Sequence, residues 1–151
     1  MNSTRSVRMD EETRHDFLGT GGTGVLSTGR GADEPPYSLP VSYGYDAVEG
    51  DLYLRLAYSP DGEKTTELTD GTAVSLVIYD QTDDGWKSVV ARGRLAEVTE
   101  AAVDSGVVEA MRRVHIPLVD VFDRHPRELQ FRFFRLTQAD LSSREEAHAA
   151  D

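Results

Sequence analysis

The chain has 151 residues, a formal net charge of −11 and no cysteine. The missing cysteines exclude disulfides, thiolate catalysis and cysteine-ligated metals, and so acidic a surface without a basic patch argues against nucleic-acid binding. With no apolar run of about 20 residues and no secretory leader pattern, we expect a soluble cytoplasmic protein without a membrane partner. The length predicts a single domain over residues 1–151.

The first half of the chain predicts a short helix followed by strands. Residues 1–9 are expected to form a loose arm. Asp10 is placed to cap a helix ending at Gly19, because Glu11 and Glu12 would lie in its first turn, where carboxylates stabilise a helix. Apolar and alternating segments then predict three strands, at residues 24–28, 37–44 and 51–57.

Pro40 lies inside the second of these predicted strands. Proline cannot donate a ladder hydrogen bond, so it indicates an edge strand or an interrupted one. Such a strand leaves backbone groups free for a ligand.

The second half of the chain predicts a short helix at 64–68, strands at 72–79 and 86–98, a helix at 99–114 and a last strand at 129–137. Gly93 indicates a bulge or a close backbone approach within the long strand. Residues 142–151 are polar and are expected to form a frayed tail. Five or six strands with peripheral helices predict a mainly β fold, a small barrel.

Lys64 is one of only two lysines in the chain and follows a strand and a glycine-containing turn. A cation is electrostatically unfavourable at the start of a helix, whereas an anion is stabilised there. This placement indicates a bound dianion such as a phosphate, and the alternative is a solvated surface lysine.

Three segments, residues 36–46, 51–64 and 86–95, together resemble the flavin-binding split-barrel family related to pyridoxamine 5′-phosphate oxidase. The likeness is to its small, flavin-nucleotide-binding branch and covers roughly residues 10–140. It implies a split barrel that binds FMN at the interface of a homodimer, with each site built from both chains. The flavin would perform the redox chemistry, and no side chain is identified as a catalytic acid or base.

The resemblance also implies which residues bind the cofactor. Lys64, Arg55 and Ser88 would hold the phosphate, with Arg55 replacing the arginine that the family has where this chain has Glu63. The strand 40–43 and Leu56 would line the flavin ring, and Trp86 would either pack on the flavin or anchor the barrel. From the residues alone, Arg55 has the alternative of pointing outward with Tyr53. The full predicted set is Pro40, Val41, Ser42, Tyr43, Arg55, Leu56, Lys64, Trp86, Ser88 and Val89.

Other motifs give no site. The four histidines lack metal-ligand spacing, so no metal is expected. The glycine run 19–24 precedes a strand, whereas a dinucleotide fingerprint follows one. No Gly-x-Ser-x-Gly elbow of a serine hydrolase is found.

The resemblance implies a small FMN-dependent oxidoreductase of unknown substrate. Pyridoxamine phosphate oxidation is not expected, because residues 136–144 lack the Arg-x-Arg substrate signature of the true oxidases. The alternatives are a non-catalytic flavin-binding or shuttling protein, the same fold holding a deazaflavin or haem, and a ligand-free barrel. The acid excess, with arginine used in place of lysine, predicts a halophilic protein, since high salt screens repulsion between carboxylates.

Overall fold

A computed structural model of the protein describes residues 5–58, 68–99, 109–110, 112, 114 and 130–147. The mainly β prediction is confirmed. In chain order the elements are β1 (Arg5–Arg8), α1 (Glu11–Leu18), β2 (Gly21–Thr28), β3 (Tyr37–Asp46), β4 (Asp51–Tyr58), β5 (Ala73–Thr82), β6 (Gly85–Glu97) and β7 (Gln130–Ala147).

The strands form one antiparallel sheet in the order β1-β7-β4-β3-β2-β5-β6, and a further pairing of β6 with β7 closes it. Strand β7 is long enough to serve both seams. Its residues 130–135 pair with β4, and its residues 134–145 pair with β6. Six strands therefore form the closed barrel, and β1 is added beside the far end of β7.

Alternation along the strands builds the core. In β5 the side chains of Val74, Leu76 and Ile78 are buried inside the barrel, as predicted. In β3 and β4 burial does not alternate: every residue from Val41 to Asp46 is buried, and so are Leu52, Tyr53 and Leu54. This part of the sheet is therefore covered on both faces. The largest fully buried side chains are Tyr45, Tyr53, Phe134, Leu18, Leu26, Leu52, Leu54, Leu56, Leu68, Leu76 and Leu95.

Helix α1 has the predicted ends. The Asp10 carboxylate accepts a hydrogen bond from the Thr13 backbone N–H at 2.7 Å, and Gly19 ends the helix with φ of 61°. Buried Leu18 joins the helix to the core. Its carbonyl oxygen accepts a hydrogen bond from the Tyr43 hydroxyl at 3.0 Å, which fixes α1 against β3. Among the described residues no helix is both long and apolar enough to cross a membrane.

The loose tails predicted at 1–9 and 142–151 are wrong for the residues that the structure describes there. Residues 5–8 form β1 and pair with residues 144–147 of β7, and Met9 is buried. These segments are charged and show no apolar alternation, so their strand structure rests on backbone pairing, which a sequence pattern does not record.

Strand β7 extends ten residues past its predicted end at 137 and contains an extra residue relative to β6. Arg92 pairs with Asp140, but Arg94 pairs with Thr137, so β7 advances by three residues where β6 advances by two. A Cβ on Gly93 would overlap the Thr137 carbonyl oxygen. The irregularity and close approach predicted at Gly93 are therefore confirmed.

Two predicted helices fall largely outside the described residues. Of the segment 64–68 only Leu68 is described, so the prediction for Lys64 cannot be placed in the fold. Of the segment 99–114, Glu109, Ala110 and Arg112 have helical backbone, whereas Thr99 and Val114 do not.

Candidate functional site

Three of the predicted binding residues lie together on the outer face of the barrel. In β4, alternation places Leu54 and Leu56 in the core and turns Arg55 outward. Arg55 is the direct cross-strand partner of Ser42 in β3 and of Phe133 in β7. Arg55 thus shares the face of Tyr53, as one interpretation of the sequence had it, but this face is not a solvated polar one, because Tyr53 is 1% and Ser42 5% exposed. We call the outward residues Pro40, Ser42, Arg55, Phe131 and Phe133 the Arg55 patch.

The Arg55 side chain is half-buried although it points outward. Its guanidinium carbon lies 5.3 Å from the centroid of the Phe131 ring, a cation–π contact. Burial lowers the pKa of Arg55, but an arginine remains charged in proteins. A cation that has lost part of its hydration is attracted more strongly by an anion than one in bulk water.

Pro40 is exposed and marks the end of a ladder. Strand β3 pairs with β4 from Ser42 to Asp46, and beyond Ser42 its pairing within the described residues is with β2 alone. The predicted edge character is therefore found at Pro40, although β3 is not interrupted.

Four other predicted residues point their side chains into the core: Val41, Tyr43, Leu56 and Val89. A ligand on the outer face can meet them only through their backbone. Tyr43 is committed to its hydrogen bond with Leu18, and burial raises the pKa of Tyr43 to about 12.

Ser88 and Trp86 lie on the outer face of β6, away from the Arg55 patch. Strand β7 pairs with both β4 and β6, so the separation lies along β7: Arg55 pairs with Phe133, and Ser88 pairs with Arg144, eleven residues further on. That is about 36 Å of strand at ~3.3 Å per residue. Trp86 is 47% exposed, so the alternative in which it anchors the barrel is wrong. Its ring is tilted against that of Tyr79, with centroids 6.3 Å apart.

Sequence reasoning missed two surface cavities, which depend on strand register. A cavity of about 180 Å³ beside Trp86 is lined by Ser6, Tyr79, Trp86, Lys87, Ser88, Arg144, Glu145 and Glu146. A second, of about 440 Å³, is lined by Ser27, Thr28, Gly29, Pro36, Ala73, Val74, Ser75 and Arg92. Alternation alone identified the outward residues of each strand, but only the pairing shows which of them meet.

His15 has a structural setting. Its Nδ1 lies 2.6 Å from the Tyr45 hydroxyl and its Nε2 lies 3.2 Å from a Glu11 carboxylate oxygen. Its ring also stacks on Tyr45 at 5.5 Å between centroids. Within the described part of the chain, no group of three or more His, Asp or Glu side chains is arranged to hold a metal.

Comparison with known protein families shows to which family the chain belongs. Residues 10–145 match the family described as pyridoxamine 5′-phosphate oxidase. The chain belongs to this family. The match spans the barrel from the cap of α1 to the far end of β7, including every residue of the Arg55 patch.

Solved structures of family-like proteins share the fold over nearly the whole chain. An FAD-binding protein from Mesorhizobium loti is 25% identical with a TM-score of 0.58, covering 97% of this chain and 99% of that chain. The FAD-binding protein of Mycobacterium smegmatis is 12% identical with a TM-score of 0.62, covering 93% and 99%. An FAD- and haem-binding protein from the same organism is 15% identical with a TM-score of 0.59, covering 97% and 75%. The split-barrel prediction is therefore confirmed, while no protein of curated function matches the chain.

Proposed function

We propose that the protein binds a flavin nucleotide at the Arg55 patch. The observation that carries this proposal is the half-buried guanidinium of Arg55 beside an aromatic ring on the outer face of a family barrel. FAD-binding proteins with the same fold support a flavin as the ligand.

The chemistry of the patch suits an amphipathic ligand of this kind. A flavin nucleotide carries a planar ring system, a hydroxylated chain and a phosphate. Arg55 supplies a charged donor for the phosphate, and Pro40 and Phe131 offer apolar surface to the ring. The side of β3 near Pro40, which pairs with no strand that the structure describes, would supply backbone groups for the polar edge of the ring.

Lys64 is proposed as a second phosphate ligand. It follows the end of β4 at Tyr58 by six residues, a stretch that spans at most about 20 Å when extended. Arg55 lies three residues before the same strand end, so the two cations are close enough in sequence to meet one phosphate.

Ser88 and Trp86 are proposed to reach the flavin from a second copy of the chain. Within one chain Arg55 and Ser88 pair with positions of β7 that are eleven residues apart, Phe133 and Arg144, so a shared site requires a homodimer. The proposed dimer has two such sites, each with Arg55 from one protomer and Ser88 from its partner.

With flavin bound, the cofactor would supply electron transfer and the protein would supply binding and orientation. We propose a small flavin-dependent oxidoreductase, with FMN or FAD as the cofactor. A protein that carries flavin without turnover is the second candidate. A haem is the third, favoured by the fold shared with an FAD- and haem-binding protein, and a deazaflavin the fourth.

Flavin titration tests the proposal. FMN and FAD are added separately to protein stripped of ligand, and quenching of flavin fluorescence is followed for wild type, Arg55→Gln and Lys64→Ala. Losing one charged phosphate contact of 1.5–3 kcal/mol should weaken binding by about ten- to a hundredfold. Arg112→Gln is the matched control, because Arg112 is exposed and paired with Glu109 at 3.2 Å.

Two results would contradict the proposal: no saturable quenching by either flavin, or equal affinity for wild type and Arg55→Gln. The visible spectrum of the protein as purified separates the cofactor alternatives, because oxidised flavin, deazaflavin and haem absorb at different wavelengths. The preferred flavin follows from the ratio of the FMN and FAD dissociation constants.

A further inference from the structure

Two arginines lie side by side at the far end of β7, where β1 pairs with it. Arg8 of β1 and Arg144 of β7 are direct cross-strand partners, so their side chains leave the same face of the sheet. Like charges placed directly opposite destabilise a sheet. Neither arginine makes an ion pair or a side-chain hydrogen bond with any residue that the structure describes. A bound anion would remove this repulsion.

A hydroxyl and an aromatic ring continue the same row across the sheet. Arg144 pairs with Ser88 of β6, and Ser88 pairs with Tyr79 of β5. All of these side chains stand on the outer face. The row therefore offers two guanidinium groups and one hydroxyl donor side by side, a combination suited to a phosphate.

An exposed aromatic pair borders these donors. Trp86 is 47% and Tyr79 60% exposed, and both line the cavity of about 180 Å³ that also contains Ser88 and Arg144. That volume accommodates one ring system rather than a complete ligand. Exposed Trp and Tyr rings are the side chains on which nucleic-acid bases stack.

A carboxylate lines the same cavity. Glu146 pairs with Ser6, and both line the cavity. On β7, Glu146 lies two residues beyond Arg144 and therefore on the same face of the sheet. A carboxylate repels a phosphate but accepts hydrogen bonds from an amino group or a sugar hydroxyl. The cavity therefore offers an acceptor for a donor group as well as a cation for an anion.

We propose that this cavity binds the adenylate part of a nucleotide. The base stacks on Trp86 and Tyr79, its amino group or the ribose donates to Glu146, and the phosphate meets Arg144, Arg8 and Ser88. The adenylate has two sources: an FAD molecule whose flavin occupies the Arg55 patch of the partner, or a separate adenine nucleotide. Only the first source rests on the proposed function.

Fluorescence of Trp86 gives a direct test, because Trp86 is the only tryptophan in the chain. ADP is titrated into flavin-free protein at constant ionic strength, with wild type, Arg144→Gln and Arg8→Gln compared. We expect saturable quenching by ADP, at least tenfold weaker binding in Arg144→Gln and weaker binding of adenosine, which lacks the phosphate. Arg112→Gln should bind ADP as wild type does.

The proposal is overturned if ADP causes no saturable change, or if folded Arg144→Gln and Arg8→Gln both bind ADP as tightly as wild type. Repeating the titration on FAD-loaded and FMN-loaded protein identifies the source. Loss of ADP binding on loading with FAD assigns the cavity to the cofactor. Retention with both flavins assigns it to a separate nucleotide and removes Ser88 and Trp86 from the proposed flavin site. Because the first titration contains no flavin, it tests ADP binding even if the protein does not bind flavin.

Discussion

At the scale of single residues, Tyr43 shows how one polar atom joins the helix to the barrel. Its ring lies in the core, and its hydroxyl donates to the Leu18 carbonyl at the end of α1. Gly22 makes room for this arrangement, since a Cβ there would come within 3.1 Å of the Tyr43 ring.

Tyr43→Phe should lower the free energy of unfolding by about 1–2 kcal/mol, because it removes a hydrogen bond and leaves a buried carbonyl without its donor. Urea unfolding measures this change. Tyr79→Phe is the control, since the Tyr79 side chain is 60% exposed. Equal stability of Tyr43→Phe and wild type would show that water replaces the lost hydroxyl.

Tyr43 also predicts a response to alkaline pH. Burial raises its pKa from the ordinary value of about 10 to about 12, so the folded state holds this proton more tightly than the unfolded state. The resulting stability is present below pH 10 and is lost as the pH rises towards 12. We expect tyrosinate absorbance to show one fewer late-titrating group in Tyr43→Phe, and an unchanged titration would contradict the assignment.

A single-residue prediction could be made from the sequence when it depended on one strand, and could not when it depended on how the strands are arranged in the sheet. The parity of Arg55 follows from alternation within one strand, so its outward direction was among the readings the sequence allowed. The position of Trp86 relative to Arg55 depends on the order of strands in the sheet. The sequence does not contain that order except through family resemblance.

At the scale of elements, the seam between β6 and β7 depends on Gly93. The close approach of Thr137 leaves no space for a side chain at this position. A substitution must therefore push the two strands apart where the barrel closes.

Gly93→Ala should destabilise the protein by about 1–3 kcal/mol through this overpacking. Gly29→Ala is the matched control, because a Cβ on Gly29 would meet no atom within 4 Å. The midpoints of urea unfolding compare the two variants. If they unfold together, the seam tolerates the added methyl group and the close approach is not rigid.

Element boundaries could be predicted wherever a local signal existed. The Asp10 cap and Gly19 bound α1, and alternation identified β3, β4 and β5. The missed pieces, β1 and the last ten residues of β7, are charged segments. In β7 the extra residue near 138–140 shifts the buried face from Leu136 to Ser143, which breaks the period of two on which strand prediction depends.

At the scale of the whole molecule, the net charge of −11 should make stability depend on salt. Repulsion among carboxylates opposes the compact state and is screened as ionic strength rises. We expect the thermal midpoint to rise between 0.1 M and 2 M KCl, with each ~1 kcal/mol of stabilisation adding about 2–4 °C. Equal osmolality of sucrose is the control, and a midpoint that stays constant or falls in KCl would oppose the halophilic prediction.

The double pairing of β7 has a consequence for biosynthesis. All other strands leave the ribosome before β7, so until it emerges the edges of β4 and β6 that it will cover stay unpaired. Exposed strand edges invite pairing with other chains, and closure between distant segments is slow. The nascent chain should therefore depend on chaperone protection during its last stage of translation, and substitutions in β7 should reduce the yield of folded protein more than its stability once folded.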